Sequence, residues 1–174
     1  MTANLADSCL RVVLPKGRIF ERVDALWDDC GLPLKRAARD YRPTVPDDRF
    51  RVKIMKAQNI PTLIEMGNHD LGITGIDWVS ETSADVVELL DLGFDPVRIV
   101  AAAPATVSAE ALLNKPGVVV VSEYEQLTRR WLESRGADYR FVRSYGATEV
   151  FPPEDADLVV DNTATGATLV DNGL

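Results

Sequence analysis

Three threonines and a glycine fall within six positions, Thr163 to Thr168, one residue after the run "DLVVD". Hydroxyls of Thr163, Thr165 and Thr168, with the amides around Gly166, are groups that can surround a phosphate where a strand turns into a helix. Gly166 lets the backbone come close to such a ligand. Asp161 opens the loop and places one carboxylate beside it. The same residues also suit an ordinary strand-to-helix turn with threonine caps. No GxxxxGK[ST] occurs, which excludes a P-loop NTPase.

A second stretch follows the same logic. In "LPKGRIF", Lys16 and Arg18 bracket Gly17 between an expected strand and an expected helix. Cations are unfavourable at a helix start, whose dipole is already positive, so two of them suggest an anion between them. A plain surface turn is the alternative. A third stretch, "GNHDLGITGID", holds Asp70 and two glycines around "IT", the second being Gly75. It lacks GxGxxG, so a dinucleotide fingerprint is absent. His69 is the single histidine, which argues against a histidine-based metal cluster.

Strands and helices alternate to position these stretches. "LRVVL" predicts a buried strand. Ile19, Phe20, Val23, Leu26, Trp27 and Cys30 are spaced for one face of a helix that Gly31 ends. "FRVKIMK" alternates as a half-buried strand. Asn59 is expected to cap a short helix with Pro61 in its first turn, and "DLGIT" reads as another short strand. In the second half, "VRIVAAA" predicts a buried strand and "GVVVVS" a central one. Ser122 and Glu125 have capping-box spacing for a helix that buries Leu127, Trp131 and Leu132. "YRFVR" and "DLVVD" complete the set. The fold class expected is α/β, with two α/β lobes, 1–97 and 98–174, around a cleft.

Composition narrows the function. The 174 residues are 46% hydrophobic, which suits a globular chain, and the net charge of −8 argues against a nucleic-acid partner. No apolar run is long enough to span a membrane. No secretory signal is expected at "MTANLADSCLRVV", and two cysteines, Cys9 and Cys30, suit free thiols in the cytoplasm.

Four segments in this order, "LRVVLPKGRIF", "NIPTLIEMGNHDLGITGID", "ELLDLGFDPVRIV" and "ADLVVDNTATGATLVDNGL", resemble the catalytic region of ATP phosphoribosyltransferase, the family that begins histidine biosynthesis. The resemblance runs from about Leu10 to Leu174. It implies two lobes of the type II periplasmic-binding-like fold. It also implies that ATP is joined to phosphoribosyl pyrophosphate with Mg2+. By the same resemblance, Thr163, Ala164, Thr165, Gly166, Ala167 and Thr168 wrap the 5-phosphate, and Asp161 holds ribose hydroxyls. Lys16, Gly17 and Arg18 match the segment near nucleotide and pyrophosphate, and Lys16 and Arg18 are the catalytic candidates. Asp70 and Gly75 line the cleft on the other lobe, and Glu149 in "GATEVFPP" matches a family acid without an assigned role. No protein ligand for a metal is implied. A homo-oligomer is expected, with either a C-terminal histidine-binding domain or a separate regulatory subunit resembling histidyl-tRNA synthetase.

The chain departs from the family's pattern at Asn59, where relatives usually have Asp, and at Ala164 and Ala167, where they often carry hydroxyls. Relatives also continue past "NGL" through a helix and a strand that return to the first lobe. Two other readings compete. One is a non-catalytic small-molecule-binding module on the same bilobal fold. The other is a different phosphoribosyltransferase type, which would place two consecutive acids where Asp161 is followed by Asn162.

Overall fold

The computed structural model describes residues 9–38 and 40–174. They form two compact units, one through Phe94 and one from Asp95 to Leu174, where the sequence suggested a division at 97/98.

In the first unit, β1 (Leu10–Pro15) is the middle strand of a three-stranded parallel sheet. Its neighbours are β2 (Phe50–Met55) and the two-residue β3 (Leu71–Gly72). A central parallel strand is covered on both faces, which is why "VVL" carries no polar residue. Val12 and Leu14 pack with Val52 and Ile54 against Phe20, Val23 and Trp27 of α1 (Phe20–Asp29). The Trp27 ring meets Phe50 edge-on, with centroids 5.9 Å apart. Leu26 is only half-buried, and Cys30 is exposed at the helix end rather than on the packed face.

The expected strand "DLGIT" is shorter than predicted. Asp70 and Ile73 still donate backbone hydrogen bonds to Arg11 (2.9 Å) and Val13 (3.1 Å), so β1 guides the segment on either side of Leu71–Gly72. Gly72 is there because nothing larger fits. A Cβ would lie 2.6 Å from Ile60 Cγ2 and 3.2 Å from Val13 Cγ1. Gly72→Ala is therefore expected to overpack this face and destabilise the protein by about 1–3 kcal/mol, read as a lower denaturation midpoint at unchanged slope.

Helix α2 (Ile60–Glu65) starts from a 3-10 turn, Ala57–Asn59, and α3 (Ile76–Thr82) follows β3. The expected cap at Asn59 is not made. Asn59 is already in helical conformation because the 3-10 turn runs into α2, and its side chain makes no capping bond. Pro61 does sit in the first turn.

The second unit is a four-stranded sheet in the order β4-β7-β5-β6, comprising Arg98–Ala102, Leu158–Thr163, Val118–Ser122 and Tyr139–Arg143. The last three are parallel to one another, and β4 runs antiparallel to β7. Here β4 differs from the expected buried strand. It is an edge strand, with Arg98, Ile99 and Ala101 exposed. In contrast, Val118, Val120 and Val121 of β5 are fully buried. One face of the sheet packs Val118, Val120, Leu158 and Val160 against Leu112 of α4 (Ala109–Leu113) and Leu132 of α5 (Glu125–Ser134). The other packs Val121 and Val159 against Ala156 and Leu169 of α6 (Ala167–Asp171).

The capping box at Ser122 and Glu125 does not form. Ser122 remains in β5, and Glu125 is the first helical residue, too early to reach back as a third-position acid. The Ser122 hydroxyl instead donates to the Val160 carbonyl at 2.6 Å and accepts the Tyr124 amide at 2.8 Å. Glu125 pairs with Arg129 (2.9 Å) and Arg143 (3.5 Å). On α5, Leu132 and Thr128 are the fully buried residues, while Leu127 and Trp131 are half-buried. No described helix is long and apolar enough to cross a membrane.

Candidate active site

The threonine loop lies at the carboxyl end of β7, where ligands of open α/β sheets bind. Gly166, at φ +83°, is the left-handed residue that turns the chain into α6. Inside the turn, Thr163 Oγ1 accepts the Gly166 amide at 2.7 Å and Thr165 Oγ1 accepts the Ala167 amide at 3.3 Å. Ala164, Thr165, Ala167 and Thr168 are exposed, so the loop presents a short surface of methyls, hydroxyls and amides. Backbone pairing places Arg98 of β4 opposite Thr163, one cation-bearing position beside the loop that the sequence did not flag.

Asp161 precedes this turn and is half-buried. Burial pushes its carboxyl above the ordinary range, and the negative charges of Glu123 and Glu149 push the same way. The Asn162 amide, 2.7 Å from Oδ1, and the Thr148 hydroxyl partly offset this by bonding the carboxylate. Thr148 is buried and lies 3.0 Å from the Ser144 hydroxyl. It starts the 3-10 turn Thr148–Val150, which places Glu149 near Asp161. The second unit thus brings together Asp161, Glu149 and the whole Thr163–Thr168 loop. It adds Glu123, Thr148 and Asn162, which come from separate segments and have no motif of their own.

In the first unit, Lys16, Gly17 and Arg18 follow β1 at its carboxyl end. The Lys16 amide extends the ladder to the Met55 carbonyl at 2.7 Å, and its ammonium lies 5.7 Å from the Tyr41 ring centre. Gly17 takes φ +98° and its carbonyl accepts the Phe20 amide at 3.0 Å. Lys16 and Arg18 are exposed, and α1 has no side-chain cap on its first amides. Gly75 follows β3 and begins α3, where a Cβ would collide with the Asp77 carboxylate.

Asp70 is not brought to these residues. It precedes β3 and lies level with Arg11, at the amino end of the parallel strands, whereas Lys16 and Gly75 follow their carboxyl ends. Four strand residues separate Arg11 from Lys16, a displacement of roughly 16 Å. The Asp70 carboxylate is also occupied. Arg11 grips it through Nη2 (2.6 Å), Nε (3.0 Å) and its own backbone amide (2.8 Å). The Arg11 side-chain bonds, then its backbone bond, lower the Asp70 pKa from 3.8 to about 2. A depressed carboxylate stabilises the fold above its unfolded pKa and loses that contribution as pH falls through its folded one. Melting temperature is therefore expected to drop between pH 3.8 and about 2, and to drop less in Asp70→Asn over the same window.

Residues 56–174 match the family HisG, described as ATP phosphoribosyltransferase. An ATP phosphoribosyltransferase of Chlorobium phaeovibrioides is 36% identical across 97% of this chain and 59% of its own length. One from Thermodesulfovibrio yellowstonii is 35% identical across 98% and 60%. The chain therefore spans about three fifths of the curated relatives it matches. A solved ATP phosphoribosyl transferase (HisG:HisZ) complex from Thermotoga maritima superimposes with a TM-score of 0.81, covering 94% of this chain and 79% of that one. At 24% identity that likeness speaks for the fold, the type II periplasmic-binding-like class. With the threonine loop at the end of β7 and a family match over most of its length, the chain belongs to the ATP phosphoribosyltransferase family.

Proposed function

We propose that the protein joins N1 of ATP to the anomeric carbon of phosphoribosyl pyrophosphate and releases pyrophosphate, the first step of histidine biosynthesis. The observation that carries this reading is the Thr163–Thr168 loop beside Asp161 at the carboxyl end of β7, in a chain of this family. The loop takes the 5-phosphate through hydroxyls and amides, with Thr163 and Thr165 handing over the amides they now occupy. Asp161 accepts hydrogen bonds from ribose hydroxyls. Lys16 and Arg18 are assigned to the leaving pyrophosphate.

The adenine N1 lone pair forms the new bond as the carbon–oxygen bond breaks and its electron pair leaves on pyrophosphate. N1 already owns its lone pair, so no strong base is required. Catalysis rests on orientation and on opposing charge to the departing polyanion. Divalent metal belongs to the family's chemistry, and we take it to be Mg2+. Among the described residues no three acidic, histidine or cysteine side chains are grouped to hold a metal. The ion would then arrive with the pyrophosphate, whose negative charge it would offset. A homo-oligomer, a separate regulatory subunit for which the second chain named in the Thermotoga maritima HisG:HisZ complex is a precedent, and a cytoplasmic location complete the proposal.

The test is direct. Full-length protein, with any regulatory subunit, is mixed with ATP, phosphoribosyl pyrophosphate and Mg2+, and N1 substitution is followed by ultraviolet absorbance. Product formation is expected. Ligand binding by calorimetry with no product would overturn the enzyme reading in favour of a binding module.

A further inference from the structure

We propose that Tyr124 is a positioning residue for the sugar-phosphate part of the site, acting through Asn162. This rests on the phosphoribosyl reading above. The hydrogen-bonded ladder between β5 and β7 ends at the pair Ser122–Val160, yet β7 continues to Thr163. Over residues 161–163 only β4 still pairs with it, through Val100, Ile99 and Arg98. The side that β5 has left is the side on which the loop's first residues need support.

Two side-chain ties supply it. The Ser122 hydroxyl bonds the Val160 carbonyl at 2.6 Å, at the point where the ladder stops. Two residues further along both chains, the Asn162 Nδ2 donates to the Tyr124 hydroxyl at 2.9 Å. Tyr124 is completely buried just before α5, and Ser122 Oγ accepts its amide, so its ring is a fixed post. Asn162 hangs from that post and in turn bears on two site residues. Its backbone amide holds the Asp161 carboxylate at 2.7 Å. Its successor Thr163 holds the Gly166 amide at 2.7 Å. The phenol oxygen makes the tie to Asn162, which phenylalanine could not.

The test compares Tyr124→Phe, Asn162→Leu and the double variant in the full-length protein with any regulatory subunit. Tyr124→Phe deletes one oxygen, and Asn162 is exposed, so both variants are expected to fold. Each is expected to raise KM for phosphoribosyl pyrophosphate about fivefold, the size of one neutral hydrogen bond, and to leave KM for ATP unchanged. The double variant should be no worse than the more affected single one, because both remove the same bond. A merely structural role would lower melting temperature and the active fraction while leaving both KM values in place. Wild-type turnover with an unchanged sugar-phosphate KM in Tyr124→Phe overturns this inference alone. A wild type that turns over no phosphoribosyl pyrophosphate overturns the functional reading, and this inference with it.

Discussion

Asp161→Asn is expected to give a more stable protein that is a poorer catalyst. Burial, with Glu123 and Glu149 adding to it, raises the Asp161 pKa above its ordinary value of 3.8. A carboxyl with a raised folded pKa contributes most when protonated, and the protein loses that contribution as pH climbs through the window above 3.8. At neutral pH the ionised group therefore works against the fold. The neutral amide removes this burden. Its oxygen can still accept from Asn162 and Thr148, and its NH2 can face the two glutamates. Each kcal/mol so recovered raises the melting temperature by about 2–4 °C in a chain of this length. The price appears in catalysis. Losing the charged acceptor proposed for the ribose hydroxyls is expected to lower kcat/KM on the order of 100-fold, as removal of one preorganised electrostatic group commonly does. Calorimetry at pH 7 and steady-state kinetics on the same preparation check both halves. A variant that is less stable at pH 7 but above wild type at pH 3 would contradict the sign argued here.

Gly166→Val is expected to weaken sugar-phosphate binding sharply while leaving the two cores intact. A β-branched residue at φ +83° is a backbone outlier, and holding it there costs about 1–3 kcal/mol. No heavy atom lies within 4 Å of the added Cβ, so the effect is conformational strain rather than a clash. The loop relieves the strain by rotating, which breaks the Thr163–Gly166 bond and misdirects the amides that the phosphate needs. Affinity for phosphoribosyl pyrophosphate should fall on the order of 100-fold, comparable to losing one oxyanion donor. Gly166→Ala, which carries less strain, should lie between. Titration calorimetry measures the affinities, and circular dichroism tests whether the fold is retained.

What could be read from the chain follows the distance over which each feature is determined. The runs "VVL" (12–14) and "VVVV" (118–121) announce central strands because burial on both faces leaves no room for polar residues along them. The turn at Gly166 is legible because glycine and threonine act within a few positions of one another. Asp70 was misplaced because adjacency in sequence does not say which end of a parallel strand a residue occupies. Its partner, Arg11, is 59 positions away. Ser122 was misread for a related reason. Its spacing to Glu125 fits a cap, but the carbonyl it serves belongs to Val160. Asn59 followed the same pattern at short range, where a 3-10 turn absorbed the expected cap. Glu149 was found by resemblance alone. Its place near Asp161 depends on the buried Ser144–Thr148 pair, which no local pattern signals.

The staggered ending of β5 and β7 has a consequence for how amide protons leave the protein. Val159 and Val160 lie between two neighbouring strands and are shut away from water, so their hydrogens should exchange with deuterium only through large openings. Past Thr163 the chain enters a turn with exposed residues whose Gly166 and Ala167 amides are held only by threonine hydroxyls, so its hydrogens should be replaced far sooner. A slow and a fast clock thus run within a few residues of each other, and the proposed phosphate grip is anchored where one gives way to the other.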